Sequence, residues 1–455
     1  MAENSREIAL DTLLVLEQKK EYADRLLKKV LDKYTYLPVS ERAFLKRLVE
    51  GVLERQLELD YIIDTYASLP VRKMKPFIRV LLRLSVYQLL YMDGTPDSAA
   101  CNEAVKLADK RGFRNLKGFT NGVLRSIAKN KNNISYPDKD KEPITYLSVK
   151  YSMPQWMIED WIREYGREIT VRLLEGLLCV HPVSIRFKTT LSDKVQKDYI
   201  RQMKEAGVGV TDSPYLPYAR LLNGMEGAAS LPGFREGMIT IQDVSSMLCV
   251  EAAGITSSDF VMDCCAAPGG KSFLAAEKAH KVLARDVTEH KVQLLYENAG
   301  RMNPPNLLIE QWDAREFDEN YREKADVLLL DVPCSGLGVI GKKSDIKYHV
   351  TKESLESINR LQKEIVKGCW QYVKPGGILI YSTCTIRSEE NEEMLNWILQ
   401  EFPFEPDSLM EYLPEEIKDK KQLIDGSAKR PASLQMLPGI MESDGFYIAR
   451  LKRKK

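Results

Sequence analysis

Two stretches place a cysteine where an apolar, β-like run gives way to a turn. Asp331-Val332-Pro333-Cys334 closes the run 327–330, and Ser382-Thr383-Cys384-Thr385 closes the run 378–381. A third turn, Asp263-Cys264-Cys265-Ala266-Ala267-Pro268-Gly269-Gly270-Lys271, follows the run 260–262 and opens a helix at Ser272. Its small residues let backbone N–H groups lie close against a ligand. One reaction needs two thiols, an acid and such a pocket. A thiolate that adds to C6 of a pyrimidine makes C5 nucleophilic, and C5 can then take a methyl group from a sulfonium donor. A base must remove the C5 proton before the thiolate leaves. Methyl transfer to an already nucleophilic nitrogen would need no cysteine.

Each candidate has a competing reading. Gly270-Lys271-Ser272 ends like a phosphate-binding P-loop, and 327–331 resembles its magnesium-binding strand. That motif requires Gly where Cys265 stands, and Pro268 has no N–H to give a phosphate. Asp286, 23 residues after Asp263, ends the run 282–284 where an acid can accept hydrogen bonds from ribose hydroxyls; it could equally be an acid at a helix N-terminus beside Thr288. Asp313 stands in the same position after the run 307–309. For Cys101, Cys179, Cys249 and Cys369 the expectation is an inert buried thiol.

The five runs alternate with helical stretches, which implies a parallel, doubly wound sheet. Ligands bind such sheets beyond the C-terminal ends of the strands, near the point where the strand order reverses, and every turn above lies there. With the fourth and fifth strands as neighbours, two thiols and a carboxylate converge on the edge that carries the Gly-rich turn. Residues 5–129 read instead as helices: Phe44, Leu45, Leu48, Val49, Val52 and Leu53 repeat at helical spacing, as do Ile78, Leu81, Leu82, Ser85 and Leu89. The stretch 129–143 is polar and Pro-punctuated and reads as a boundary. Between it and about residue 232, helices near 156–165, 170–178 and 192–206 with a strand at 183–187 suggest a small α+β module.

At 455 residues the chain is long enough for about three domains. Its 66 Lys and Arg against 65 Asp and Glu hide an asymmetry: residues 1–135 hold 24 basic against 17 acidic side chains. Such a module suits a polyanion, and a solvated helical face explains the excess equally well. Arg72, Lys73, Lys75, Arg111, Arg114 and Lys117 are the candidate phosphate contacts, and the closing Lys452, Arg453, Lys454 and Lys455 read as a solvated tail. Met1-Ala2-Glu3-Asn4-Ser5 shows no leader pattern, and the apolar stretch 77–92 carries Arg79, Arg83 and Gln88 and is too short for a bilayer, so a cytoplasmic chain without a membrane span is expected. Asn133-Ile134-Ser135 is then a chance sequon. Eight cysteines with no C-x-x-C pair, and four histidines, give neither a disulfide framework nor a metal site.

Together, 263–271, 331–336, Lys374-Pro375-Gly376-Gly377 and 381–385 resemble the motifs of the RNA cytosine C5 methyltransferases. Gly237-Met238-Ile239-Thr240-Ile241-Gln242-Asp243-Val244-Ser245 and Asp444-Gly445-Phe446 extend the resemblance over nearly the whole chain, toward the bacterial small-subunit methyltransferase B (Sun or Fmu) subfamily. That resemblance implies a multidomain protein: an all-α, NusB-like RNA-binding domain at 1–138, a linker with a small α+β, RRM-like module at 139–235, and an α/β Rossmann-like catalytic domain at 236–455. No clear RNP aromatic signature accompanies the middle module.

The resemblance further implies that Cys265, Ala266, Ala267, Pro268, Gly269, Gly270 and Lys271, with Asp286, Asp313 and Asp331, bind S-adenosylmethionine without metal. Cys384 would be the nucleophile, Cys334 would help release the product, and Asp331 would hydrogen-bond N3 of the cytosine. In DNA cytosine methyltransferases the Pro-Cys thiol attacks instead, which makes Cys334 the runner-up nucleophile. The implied substrate is 16S ribosomal RNA and the implied enzyme a monomer; another RNA such as tRNA is the alternative substrate. Some members carry a Pro-preceded Asp where Lys343, Ser344 and Asp345 stand, a departure that bears on that loop's contacts to RNA. A non-enzymatic RNA-binding factor would suit the helical domain but has no use for two thiols at strand ends, and a P-loop NTPase would take ATP with magnesium.

Overall fold

The structure is a computed structural model that describes residues 4–19, 21–179, 182–225, 227–425 and 430–455. Met1, Ala2 and Glu3, on which the leader reading begins, lie outside them. The chain forms two compact units, one of residues 1–178 with Ile340–His349, the other of 179–339 with 350–455.

The first unit is helical. The helix Pro76–Tyr91 starts on a proline, whose missing N–H costs nothing there, and buries Ile78, Leu81, Leu82 and Leu84. Leu45, Leu48 and Val49 of Val39–Glu54 are fully buried beside it. Gly51 permits the approach, since a Cβ there would run into the Tyr87 ring. Arg83, 8% exposed, forks onto Asp60 at 2.6 and 2.7 Å. The polar stretch 129–143 is pinned within this unit: Tyr136 donates to the buried Glu58 at 2.5 Å, and Leu57 N–H donates to Ser152 Oγ at 2.9 Å. The unit therefore runs on through the helix Pro143–Lys150 to Leu178. The expected helices at 156–165 and 170–178 are present as two helices within Gln155–Leu178, separated by a kink at Gly166, whose φ of 77° leaves the helical region.

Ile340–His349, immediately beyond the Cys334 turn, belongs to this helical unit. Asp345 accepts Ala23 N–H at 2.7 Å, Lys343 pairs with Asp24 at 2.9 Å, and Lys347 donates to the Glu54 carbonyl at 2.8 Å. The loop expected to meet RNA thus commits its carboxylate, 6% exposed, to a helix start.

In the second unit, strands β1 (Val183–Phe187), β2 (Gly209–Asp212), β3 (Ala219–Asn223) and β4 (Ile239–Ile241) form an antiparallel sheet in the order β2-β3-β1-β4. Ile185, Phe187, Met203, Leu222 and Ile239 close its core. The larger sheet holds β5 (Phe260–Asp263), β6 (Lys281–Asp286), β7 (Leu307–Gln311), β8 (Ala325–Asp331), β9 (Val373–Thr383), β10 (Phe404–Pro406), β11 (Ser433–Met436) and β12 (Phe446–Arg453). Its order is β10-β12-β9-β8-β5-β6-β7, with β11 on β12. The five expected strands are parallel and near-continuously apolar where both faces are covered, as in Val327, Leu328, Leu329 and Leu330. Strand order reverses between β5 and β8, which sets the ligand crevice beyond Asp263 and Asp331.

Two expectations are corrected here. The sheet is mixed, because β10, β11 and β12 add an antiparallel edge. The basic tail is also partly strand: Lys452 lies opposite Ile378 and Glu405, and Arg453 pairs with Glu323 at 2.6 Å. Among the described residues no helix is long and apolar enough to cross a membrane.

Candidate active site

The Gly-rich turn is held from beneath by β6. Ala266 N–H bonds the Arg285 carbonyl at 2.9 Å and Ala267 N–H bonds Asp286 Oδ2 at 3.0 Å. The Ala267-Pro268 peptide is cis, and Gly269 adopts a φ of 107°, closed by its N–H on Ala266 O at 2.7 Å. A Cβ at Gly269 would collide with the Phe273 ring. Asp286, 2% exposed, also takes Val287 N–H at 2.8 Å and Lys291 Nζ at 3.0 Å. The helix cap beside it is Thr288, so Asp286 serves the turn and not the helix end. A carboxylate bonded to this turn's amide would repel a phosphate, which weighs against the NTPase reading. Asp313 forks onto Arg315 at 2.6 to 3.1 Å, and that hydrogen bonding lowers its pKa.

Lys271 does not reach into the turn that precedes it. Its ammonium, in a residue 9% exposed, meets Asp331 Oδ2 at 2.6 Å and Ser246 Oγ at 3.1 Å, over the Phe446 ring at 5.1 Å. Burial is the largest single influence and opposes its charge, but Asp331 together with Cys249 and Asp263 outweighs it and the pKa rises. Asp331 Oδ1 takes the Ser382 hydroxyl at 2.9 Å, which joins the ends of β8 and β9.

The residue the motif reading passes over is Asp263. It is wholly buried, its Oδ2 takes Ser272 Oγ at 2.6 Å, and among the described residues its Oδ1 has no hydrogen-bond partner. Burial pushes the carboxyl up to about 7, against the pull of Ser272 and Lys271. Its position at the end of β5 was the available signal. Gln242 Nε2 is a second buried group without a partner among the described residues, beside Gly270, where an added Cβ would stand 3.4 Å from Gln242 Cδ. Unspent polar atoms of both signs beside a glycine cradle suit a ligand with a cationic amine and a carboxylate, such as the amino-acid end of S-adenosylmethionine.

Cys334 and Cys384 meet with their sulfurs 3.0 Å apart. Both are partly exposed, whereas Cys101, Cys249, Cys264 and Cys369 are buried. Cys179, expected to be buried, is exposed because it follows the last turn of the helix Gln155–Leu178. The hydrogen bond with Cys384, then burial, then the charges of Cys384 and Glu390 push the Cys334 thiol well above its usual value. The two turns are also joined by Ser335 Oγ and Thr385 Oγ1 at 2.8 Å and by Gly338 N–H on Cys384 O at 3.0 Å. Asn391 holds the far side, donating to Thr385 O at 3.1 Å and accepting Thr383 Oγ1 at 2.6 Å. The structure brings Asp331, Cys334, Cys384 and Lys271 together at the β8–β9 edge. Among the described residues no three His, Cys, Asp or Glu side chains group as metal ligands.

Residues 253–452 match the model of the 16S rRNA methyltransferase RsmB/F family, and residues 3–129 match the NusB family. The "Probable ribosomal RNA small subunit methyltransferase B" of Bacillus subtilis (strain 168) is 36% identical over 456 residues, covering 99% of this chain and 98% of the relative. The chain belongs to the ribosomal RNA small subunit methyltransferase B family. The likeness holds in three dimensions. The solved structure of PH0851 superposes with a TM-score of 0.77 at 24% identity over 100% of both chains. NSun6 from Pyrococcus horikoshii, solved with SFG, gives 0.56 at 21% identity over 66% of this chain and 98% of its own. The helical unit of this methyltransferase therefore carries the NusB domain, and the Gly-rich turn and both cysteines fall within its methyltransferase domain.

Proposed function

We propose that this methyltransferase transfers the sulfonium methyl of S-adenosylmethionine to C5 of a cytosine in 16S ribosomal RNA, through a bond from Cys384 to C6. The observation that carries this reading is the 3.0 Å approach of two thiols, one of which keeps its proton, at the edge of the glycine turn. Cys265, Ala266, Ala267, Pro268, Gly269 and Gly270, with Asp286 and Asp313, hold the donor, and Asp263 Oδ1 adds a partner for its ammonium. The SFG bound by the NSun6 neighbour, an S-adenosylmethionine analogue, agrees with that donor. Asp331, fixed by Lys271 and Ser382, meets the N3 edge of the ring.

The division of labour follows from the proton. Cys384 attacks C6 as the thiolate, and the C5 that this activates takes the methyl group. A base then removes the C5 proton, C5 and C6 regain their double bond, and sulfur departs with the electrons of the C6–S bond. Cys334 donates its hydrogen bond to that departing sulfur, which is why it serves release. The NusB domain adds affinity for RNA phosphates, and the proposed division at 1–138, 139–235 and 236–455 assigns it no chemistry.

Trapping separates the roles. Cys384→Ala should abolish both methylation and any covalent link to RNA, whereas Cys334→Ala should accumulate a protein–RNA adduct on denaturing gels that carries label from methyl-labelled donor. An adduct from Cys384→Ala and none from Cys334→Ala reverses the assignment.

A further inference from the structure

Glu390 is a wholly buried carboxylate that the proposed reaction does not use. Its Oε2 accepts Ser335 N–H at 2.9 Å and Gln362 Nε2 at 3.0 Å, and its Oε1 lies 3.5 Å from the Arg387 guanidinium. Gln362, also wholly buried, donates at 3.0 Å to the carbonyl of Pro333 as well. Glu390 and Gln362 therefore bond the peptide units on both sides of Cys334. The backbone of the same glutamate serves the other thiol, since its carbonyl accepts the Tyr381 hydroxyl at 2.8 Å, three residues before Cys384. One residue thus bonds the Cys334 turn through its side chain and the strand leading to Cys384 through its carbonyl, and it brings a buried negative charge to the Cys334 side.

We propose that Glu390, acting with Gln362, is the positioning residue that holds Cys334 against Cys384. The inference rests on the release role given to Cys334 above. A turn bonded on one flank could swing Cys334 about the other, whereas bonds to Pro333 O and Ser335 N–H together leave its side chain one direction in which to point. The charge has a separate consequence. An anion near a thiol disfavours the thiolate, so Glu390 helps Cys334 retain the proton it lends to the departing sulfur. Glu389, the preceding residue, has a side chain 42% exposed and pairs with Arg387 at 2.9 Å, so it serves as an exposed comparison that shares Arg387 with Glu390 but, among the described residues, makes no bond to the Cys334 turn.

The test compares Glu390→Gln, Glu390→Ala and Glu389→Gln in the full chain, with donor affinity measured first to confirm a folded site. The glutamine at 390 keeps an oxygen for Ser335 N–H but loses the charge; the alanine loses both. In single-turnover reactions with RNA and methyl-labelled donor, Glu390→Ala should hold labelled covalent adduct about tenfold longer than the wild type, and Glu390→Gln should fall between them. Donor affinity should stay within about twofold, and Glu389→Gln, which alters only the exposed end of the shared Arg387 partner, should lengthen adduct lifetime far less than Glu390→Ala does. Adduct lifetime equal to wild type in Glu390→Ala overturns the proposal. Alkylation supplies a readout that does not depend on the release role. The pH profile for iodoacetamide labelling of Cys334, followed by peptide mass, should move to lower pH by about half a unit or more in Glu390→Gln. An unmoved profile overturns the electrostatic part. If Cys334→Ala itself gives no adduct while the alkylation profile shifts as stated, the release role fails and the electrostatic hold of Glu390 on the Cys334 proton stands.

Discussion

Asp263 gives the donor pocket a measurable proton. Its Oδ2 is bonded by Ser272 and its Oδ1 by nothing among the described residues, and burial raises the carboxyl from an ordinary 3.8 to about 7. In donor-free protein at pH 6, about nine molecules in ten therefore carry a proton there. The folded chain keeps a proton between those two values that the unfolded chain gives up. Its stabilising share is thus present in full below about 3.8 and is lost as pH rises through about 7. An ammonium placed against Oδ1 favours the carboxylate, so donor binding should release about 0.9 proton at pH 6, while at pH 8 the about 0.1 proton released by Asp263 is outweighed by the about 0.5 taken up by the donor's half-neutral α-amino group. Affinity should weaken by as much as about tenfold per pH unit below 7, and again above about 8 where an α-amino group loses its own proton. Titration calorimetry in two buffers of different ionisation enthalpy measures the proton count directly. Asp263→Asn should remove the acid limb and weaken binding at pH 7.5 by about 1.5–3 kcal/mol, the range for hydrogen bonds to charged groups. The same variant, donor-free at pH 8, should gain stability, by at most about 4 kcal/mol. No net proton release at pH 6, or wild-type affinity in Asp263→Asn, refutes the placement of the ammonium.

Asp286→Ala should weaken donor binding by about 1 kcal/mol or more, because it removes the acceptor that ties Ala267 N–H and Lys291 as well as the proposed ribose contact; unchanged affinity takes Asp286 out of the site. Among the basic candidates, Arg111 is spent on Asp11 and Glu7 and Lys117 on Asp109, whereas Arg72, Lys73 and Lys75 are exposed and form no ion pair among the described residues. Replacing those three with alanine should flatten the salt dependence of RNA binding by about 0.7–0.9 for each phosphate left unneutralised. Arg111→Ala should leave the slope alone, and an equal slope in the triple variant counts against RNA binding by this face. Burial pushes Lys347 down to about 7, so from there to about 10.5 the unfolded chain binds a proton the folded chain lacks and stability rises with pH. Lys347→Met should be most stabilising, relative to wild type, below pH 7, and denaturant midpoints that shift equally at pH 6 and pH 10 would contradict this.

Much of this architecture was readable because physical constraint leaves few alternatives. A parallel strand covered on both faces has to be apolar throughout, so β5 to β9 stand out as runs, and the helices between them imply their parallel pairing. The antiparallel edge did not stand out, since β10 is three residues long and β12 ends in the basic side chains of Lys452 and Arg453. Cys334 and Cys384 were legible by position, each just past a strand end. Glu390 was not: in the sequence Glu389 and Glu390 look like two solvated acids, and only packing against Gln362 and Ser335 separates the buried one from the exposed one. The place of Lys271 in the turn points to the donor, yet the helix that begins at Gly270 carries its side chain to Asp331. The departure at 343–345 was visible, but its place in the helical unit depends on Ala23, Asp24 and Glu54, some three hundred residues away.

The register of the two central strands explains why this site needs so many bonds behind its thiols. Asp331 lies opposite Ser382 in the β8–β9 ladder, at the spacing of about 4.8 Å that separates paired strands. From that rung Cys334 is three residues along and Cys384 only two. Equal extension would therefore carry the thiols past each other by about 3.3 Å, the rise of one residue. The observed 3.0 Å contact requires the β8 turn to fold back by that residue. Pro333 restricts the bend, the Ser335–Thr385 pair joins the residues just past the two thiols, and Glu390 with Gln362 closes the flanks of Cys334. The sheet alone supplies proximity of the strand ends; the buried polar side chains behind it convert proximity into a contact between the two sulfurs.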